Sequence, residues 1–345
     1  MLAKLITFVL WLCVGIISVL ISGYLVLLAI NWQDEAASPE ALMLQGLIEN
    51  QPHTAPELNG YQYLLQQSHQ LTATHSALLT HLFSPCREDT CHDTLVTQQS
   101  ELATLLEQEQ AILAFYDTLL RFSHWQEDLP LSTTTAPSYS VLHYAHRLYL
   151  AKVWLLTQQG DVNMAQTLLQ HDYLFWRNAL ANNRSLLSHA VTHSALTTHL
   201  QFVEGLLRRL TPEQQHVLTR NSWQTPFATE THSLEHVYAG EWVNIKSVSE
   251  PAASLNEMTE NASIAAKLIE QLIKPLWQQQ ATLNELASRI LSCTRQHEKP
   301  QQNSLNWLYN PIGKLLNANA PFDCDLRPLH ALEQQRLRLL ASYAG

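Results

Sequence analysis

The sequence predicts an all-α protein: a single N-terminal transmembrane helix followed by an irregular multi-helix body. Three observations carry this. Leu5 to Ile30 is a run of 26 residues without Asp, Glu, Lys, Arg or His. Glycine is scarce, at nine of 345 residues, while leucines recur at helical intervals and alternating β-branched runs are rare; that pattern favours helix over strand. No long Gly/Ser-rich or Pro-rich linker divides the chain after this run, so residues 1–33 read as cytoplasmic tip and anchor and residues 34–345 as one helical domain.

The apolar run is the first element. At 1.5 Å per residue it measures about 39 Å, enough to cross a hydrocarbon core of about 30 Å with tilt. A cleavable secretory signal has an apolar stretch of only about 7–15 residues and a small-x-small site. Here the run is longer and ends in Leu27-Leu28-Ala29-Ile30-Asn31-Trp32, so it reads as an uncleaved signal-anchor. Trp11 and Trp32 bracket it, as interfacial aromatics do. Lys4 precedes it and Asp34-Glu35 come after it, which places the N-terminus in the cytoplasm and the body outside. No second run approaches 18 apolar residues, which excludes a multi-pass transporter.

Ser38-Pro39-Glu40 begins a short helix ending near Asn50, and Gln51 to Gly60 is turn-rich. Tyr61 to Phe83 reads as a helix closed by Ser84-Pro85, and Thr94 to His124 as one long helix. Ser138 to Gln159 and Asp161 to Asn182 form a hairpin broken at Gly160-Asp161, a glycine C-cap beside an aspartate N-cap. Arg184 to Leu210 is the next helix. Thr211-Pro212-Glu213-Gln214 then combines a capping threonine, proline at the first helical position and a capping-box glutamine. Glu230 to Val248 and Asn261 to Cys293 are helical, the latter kinked or divided at Pro275. Asn310-Pro311-Ile312-Gly313 reads as a turn, and a last helix runs from Arg327 to about Ala341.

Lys4 is the only charged side chain before residue 34, so the body holds the other 19 of 20 Lys+Arg against 30 Asp+Glu. An acidic body argues against nucleic acid and anionic head groups as main partners. Of five cysteines, Cys13 lies in the apolar run. The other four suggest disulfides Cys86–Cys91 and Cys293–Cys324, as an oxidising space would favour. The competing reading is a metal site at Cys86-x4-Cys91-His92, whose spacing differs from the common C-x2-C.

Particular segments carry two resemblances. The segment LAKVWLLTQQGDVNMAQTLLQHDYLFWR resembles a single tetratricopeptide-like hairpin, with no second copy at a 34-residue period. The anchor, this hairpin ending in Trp176-Arg177, the leucine-rich helix after it and Asn310-Pro311-Ile312-Gly313-Lys314 together resemble a group of single-pass inner-membrane proteins of proteobacteria. That resemblance implies a bacterial inner membrane with a periplasmic body, and brings no activity.

Seventeen histidines raise the question of metal. His189 and His193, at i and i+4, fall on the stripe of Leu196, Leu200, Val203 and Leu207 and could share an ion, with Glu204, His143 or His146 as third ligand. No H-E-x-x-H supports this, and a core histidine hydrogen-bonded to a neighbour is the simpler expectation. The same holds for His143 with His146, and for His232 with His236 near Glu241. Trp176-Arg177 suggests a cation–π pair, or an arginine holding Glu241 or an anionic ligand. There is no G-x-S-x-G, no S-x-x-K with its partner motifs and no Gly-rich phosphate loop. Glu in a lytic-transglycosylase context is also missing.

No catalytic residue and no cofactor is assigned. The expectation is an anchored scaffold or interaction module in an envelope or secretion process, touching the bilayer through residues 5–30 and a protein partner in the envelope. The alternative is a periplasmic hydrolase or metal-binding protein using the inward histidines.

Overall fold

A computed structural model describes residues 2–72, 91–131, 136–220, 223–228, 231, 233–249, 263–295, 308–318 and 324–343. Among these residues the regular structure is helical, with one isolated bridge between Asn59 and His124. The helices are α1 (Leu2–Ile30), α2 (Pro39–Glu49), α3 (Gly60–Ser68), α4 (Cys91–Thr97), α5 (Gln99–Gln108), α6 (Gln110–Leu119), α7 (Tyr139–Gln158) and α8 (Val162–Asn182). They continue as α9 (Leu186–Leu207), α10 (Pro212–Thr219), α11 (Glu235–Ser249), α12 (Ile264–Ile273), α13 (Gln279–Thr294), α14 (Pro311–Ala318) and α15 (Arg327–Tyr343).

The chain divides into two compact units where the sequence reads one body over 34–345. The first holds Met1–Glu49 and Trp242–Cys324; the second holds Asn50–Glu241 and Asp325–Gly345.

In the first unit, Lys4–Ile30 of α1 is long and apolar enough to cross a membrane, with mean hydropathy 2.6 and none of that stretch buried. Below it the chain is held by side chains. Asn31 accepts from the Asn310 amide at 2.6 Å, and Asp34 accepts from the amides of Gln280 and Ala281 at 2.7 and 2.9 Å, capping α13. α2 and α14 pack on α13. Pro275 sits in a 3-10 turn, Lys274–Leu276, that separates α12 from α13, as the missing amide requires. Cys293 and Cys324 are bonded, with S–S 2.01 Å. Asn310 corrects the expected turn: it adopts φ 51° and accepts from the Gly313 amide at 3.2 Å, so it starts α14 instead of reversing the chain. Asparagine tolerates this left-handed backbone better than most residues.

The second unit is built on α7, α8 and α9, whose facing surfaces bury Trp154, Trp176, Tyr149, Tyr173 and Phe202. Gly160 takes φ +84° at the end of α7, and Asp161 accepts from the Met164 amide at 3.2 Å; the hairpin break works as its residue types predict. Thr211 and Gln214 form both bonds of the capping box on α10. The long helix expected over 94–124 is instead three, α4, α5 and α6, with breaks at Gln98 and Glu109. Neither break holds Pro or Gly. Bending lets one apolar stripe follow different partners: α4 meets α9, α5 meets α7, and α6 meets both α3 and α7.

Candidate functional site

Two features of the second unit concentrate polar chemistry. The first is a network at the centre of its core. Asp172 on α8 is fully buried, and three side chains converge on its carboxylate. The Tyr116 hydroxyl from α6 donates to Oδ1 at 2.6 Å. His146 Nε2 from α7 lies 3.2 Å and His199 Nδ1 from α9 lies 2.6 Å from Oδ2. The Trp176 indole donates to the Tyr116 oxygen at 2.8 Å, and the Trp223 indole donates to His199 Nε2 at 2.9 Å. Trp223 is held at φ 55° with its carbonyl accepting from Arg336 Nη1 at 2.7 Å.

Burial pushes the Asp172 carboxyl up, but the field of His146 and the hydrogen bonds from His146 and His199 outweigh it and hold the group well below the usual carboxylate range. Burial and the Asp172 charge push Tyr116 well above the ordinary phenol value, so it remains a donor.

The ligand atoms of His146, Asp172 and His199 lie within 4.8 Å of one another, close enough to hold a metal. The hydrogen bonds point to a different use. An indole nitrogen only donates, so Trp223 requires a bare Nε2 on His199 and puts the ring proton on Nδ1, aimed at Asp172. A metal on Nδ1 would shift that proton to Nε2, where it would oppose the Trp223 N–H. The arrangement therefore joins α6, α7, α8 and α9 through one charge-assisted network.

The second feature is an open recess of about 400 Å³. Gln51, His124, Trp125, Asn182, Arg184 and His236 are among its walls, and its described lining contains no carboxylate. The His124 wall is fixed by Asn59, whose side chain donates to the Gln126 carbonyl at 2.7 Å and accepts from its amide at 3.0 Å. Arg184 is 8% exposed. Its Nη2 donates to Gln51 Oε1, and Gln51 Nε2 lies 3.2 Å from His236 Nδ1. Arg184 Nε and the Trp125 indole nitrogen are both buried without a hydrogen-bond partner among the described residues. A β-carbon at Gly240 would lie 1.8 Å from the Arg184 carbonyl oxygen, so glycine there lets α11 press against this segment.

Two carboxylates near Arg184 serve the start of α9, while a third, Asp128, accepts from the Gln62 side chain. Glu127, fully buried, accepts from the Arg184 amide and from Ser185 Oγ at 2.8 Å. Burial raises its carboxyl above the ordinary value, against the lowering effect of the Arg184 amide and Ser185. Glu241 accepts from the Leu186 amide at 2.7 Å, a favourable place for negative charge.

Trp176, Arg177 and Glu241 therefore do not meet. Trp176 belongs to the core network, Arg177 donates from Nε to the Pro226 carbonyl at 2.5 Å, and Glu241 caps α9. His189 and His193 lie at the edge of the buried face of α9, which runs through Thr192, Leu196, His199 and Val203. His189 Nδ1 is 3.4 Å from Asn183 Oδ1, and His193 Nε2 is 3.3 Å from the Pro328 carbonyl. Of their suggested third ligands, His146 is committed to Asp172, and Glu204 pairs with Arg208 at 2.7 Å. Cys86 and His232 lie outside the described residues, and with them the Cys86–Cys91 and His232–His236 pairs.

His143 and His189 carry a pH prediction. Burial lowers each to about 4, helped by His146 and Arg147 for the first and by His193 for the second. The unfolded chain, with histidine near 6.5, then takes up protons first as pH falls. Their contribution is fully present above about pH 6.5 and is lost between about 6.5 and 4, on the order of 2 kcal/mol apiece. Urea midpoints should fall across that window, and the His143→Gln/His189→Gln variant should show a shallower fall. Equal slopes would refute it.

Comparison with protein-family models, curated proteins and solved structures finds no match to this chain.

Proposed function

We propose that the protein is a non-enzymatic interaction module, anchored by α1 in a bacterial inner membrane with its body in the periplasm, and that the Arg184 recess receives an acidic group of a protein partner. One observation carries the binding role: two buried donors, Arg184 Nε and Trp125 Nε1, lack acceptors among the described residues, and both residues line one recess whose described lining holds no carboxylate. Buried donors normally find partners. A carboxylate entering beside Arg184 supplies them, and a charge-assisted bond to arginine is among the stronger polar contacts. The net charge of −10 makes this recess a local exception. Lys4 ahead of the apolar run, Asp34-Glu35 after it, and the bonded pair Cys293–Cys324 support the outward orientation.

A photo-crosslinking residue in place of Asn182, at the exposed rim of the recess, tests this in cells. A discrete crosslinked protein is expected, and Arg184→Gln should abolish it while the purified variant keeps the helical circular-dichroism signal of the natural chain. A crosslink indifferent to Arg184→Gln would refute the recess as the binding site. Stoichiometric zinc or copper in the untagged purified protein would favour the hydrolase or metal-binding alternative.

A further inference from the structure

The ten residues of α12, Ile264–Ile273, include none that is buried. Ile264 is 81% exposed, and Leu268, Ile269 and Leu272 are each more than half exposed. The helix is exposed all round, but its apolar residues lie on one side. Ile264, Leu268 and Leu272 recur every four residues, with Ala265, Ile269 and Ile273 beside them, while Lys267, Glu270, Gln271 and Lys274 occupy the remaining arc. An apolar face of this size on a short helix without a protein partner is not stable in water.

The tether at its C-terminal end identifies the cover. The Tyr24 hydroxyl of α1 donates to the Leu272 carbonyl at 2.9 Å, and the turn Lys274–Leu276 packs on α1. Tyr24 lies six residues before Ile30, the end of the uncharged run. At 1.5 Å per residue the Leu272 end sits about 9 Å inside the apolar span. Amphipathic helices that lie in a membrane interface bury their apolar face by about 5–10 Å. Gln278, just beyond the turn, bonds the Asn31 carbonyl through its side-chain amide at 2.5 Å, so the next segment returns to the polar end of α1. Lys267 and Lys274 can reach head-group phosphates while their stems lie along the apolar boundary.

We infer that α12 is a second membrane contact: it lies in the outer-leaflet interface beside α1, with Ile264, Leu268, Ile269, Leu272 and Ile273 facing the acyl chains. This rests on α1 crossing the bilayer. It adds a constraint that a lone span lacks, because a helix in the membrane plane fixes the rotation of the first unit about α1.

The full chain in phosphatidylcholine nanodiscs, one protein per disc, provides the test. An environment-sensitive fluorescent amino acid is placed singly at Leu268, Gln271 and Leu20. At Leu268, quenching by lipid carrying a nitroxide high on the acyl chain should exceed that at Gln271 by at least about threefold, and iodide quenching should show the reverse. Lipid with a deep nitroxide should quench Leu20. Failure at Leu20 overturns the anchor reading and the inference with it. Quenching at Leu20 with iodide access at Leu268 overturns the inference alone. Shielding of Leu268 from both quenchers would assign its cover to protein and overturn it as well.

Discussion

Asp172→Ala should lower the unfolding free energy by about 3–5 kcal/mol, the range for breaking a buried ionic network by removing one partner. The variant strands Tyr116, His146 and His199, which all bond this carboxylate inside the core. Asp172→Asn keeps the shape but turns an N–H toward one donor, so it should cost nearly as much. Urea unfolding of the full chain in detergent, followed by tryptophan fluorescence, measures both. Trp176 and Trp223 bond members of the network, so their emission should also shift in any folded remainder. A loss below about 1 kcal/mol, typical of an exposed hydrogen bond, would mean that the network is not a structural tie.

Replacing both Cys293 and Cys324 with serine should cost the first unit about 3–4 kcal/mol, because the bridge closes a loop spanning a sequence separation of 31. The loss should be local. Amides of α13 and α14 should exchange faster with deuterium, while those of α7 and α8 keep their protection. A reductant should reproduce the effect in the natural chain and leave the double variant unchanged. Uniform protection in the two forms would contradict it.

The features legible in the sequence are those that neighbouring residues determine. The long apolar helix α1 needs only its own composition. The α7–α8 hairpin needs Gly160 and Asp161, and the start of α10 needs Thr211, Pro212 and Gln214. The breaks at Gln98 and Glu109 carry no local signal, because they answer to helices far along the chain. Asn310 has the residue type of a turn and starts a helix only because Asn31 and Gln278 bond it. The core network left a trace that is clear in hindsight: Asp172 occupies a core register of α8, between Leu169 and Trp176, where a carboxylate must find donors. His199 likewise stands at the centre of the stripe whose edge holds His189 and His193. The recess left none, since Gln51, His124, Arg184 and His236 meet only after folding.

The chain path sets a schedule for biogenesis. The first unit is discontinuous: α2 leaves the ribosome early, whereas α13, on which it packs, begins at Gln279, after most of the second unit. Between Glu49 and Gln279 lie 229 residues, about 10–50 s of synthesis at roughly 5–20 residues per second. Throughout that interval Ala41 and Leu44, buried to 1% and 0% exposure in the finished protein, stand without α13 to cover them. The nascent chain is therefore open to capture by chaperones or to aggregation through α2, and the second unit, which includes α15, is likewise completed only at the end of synthesis.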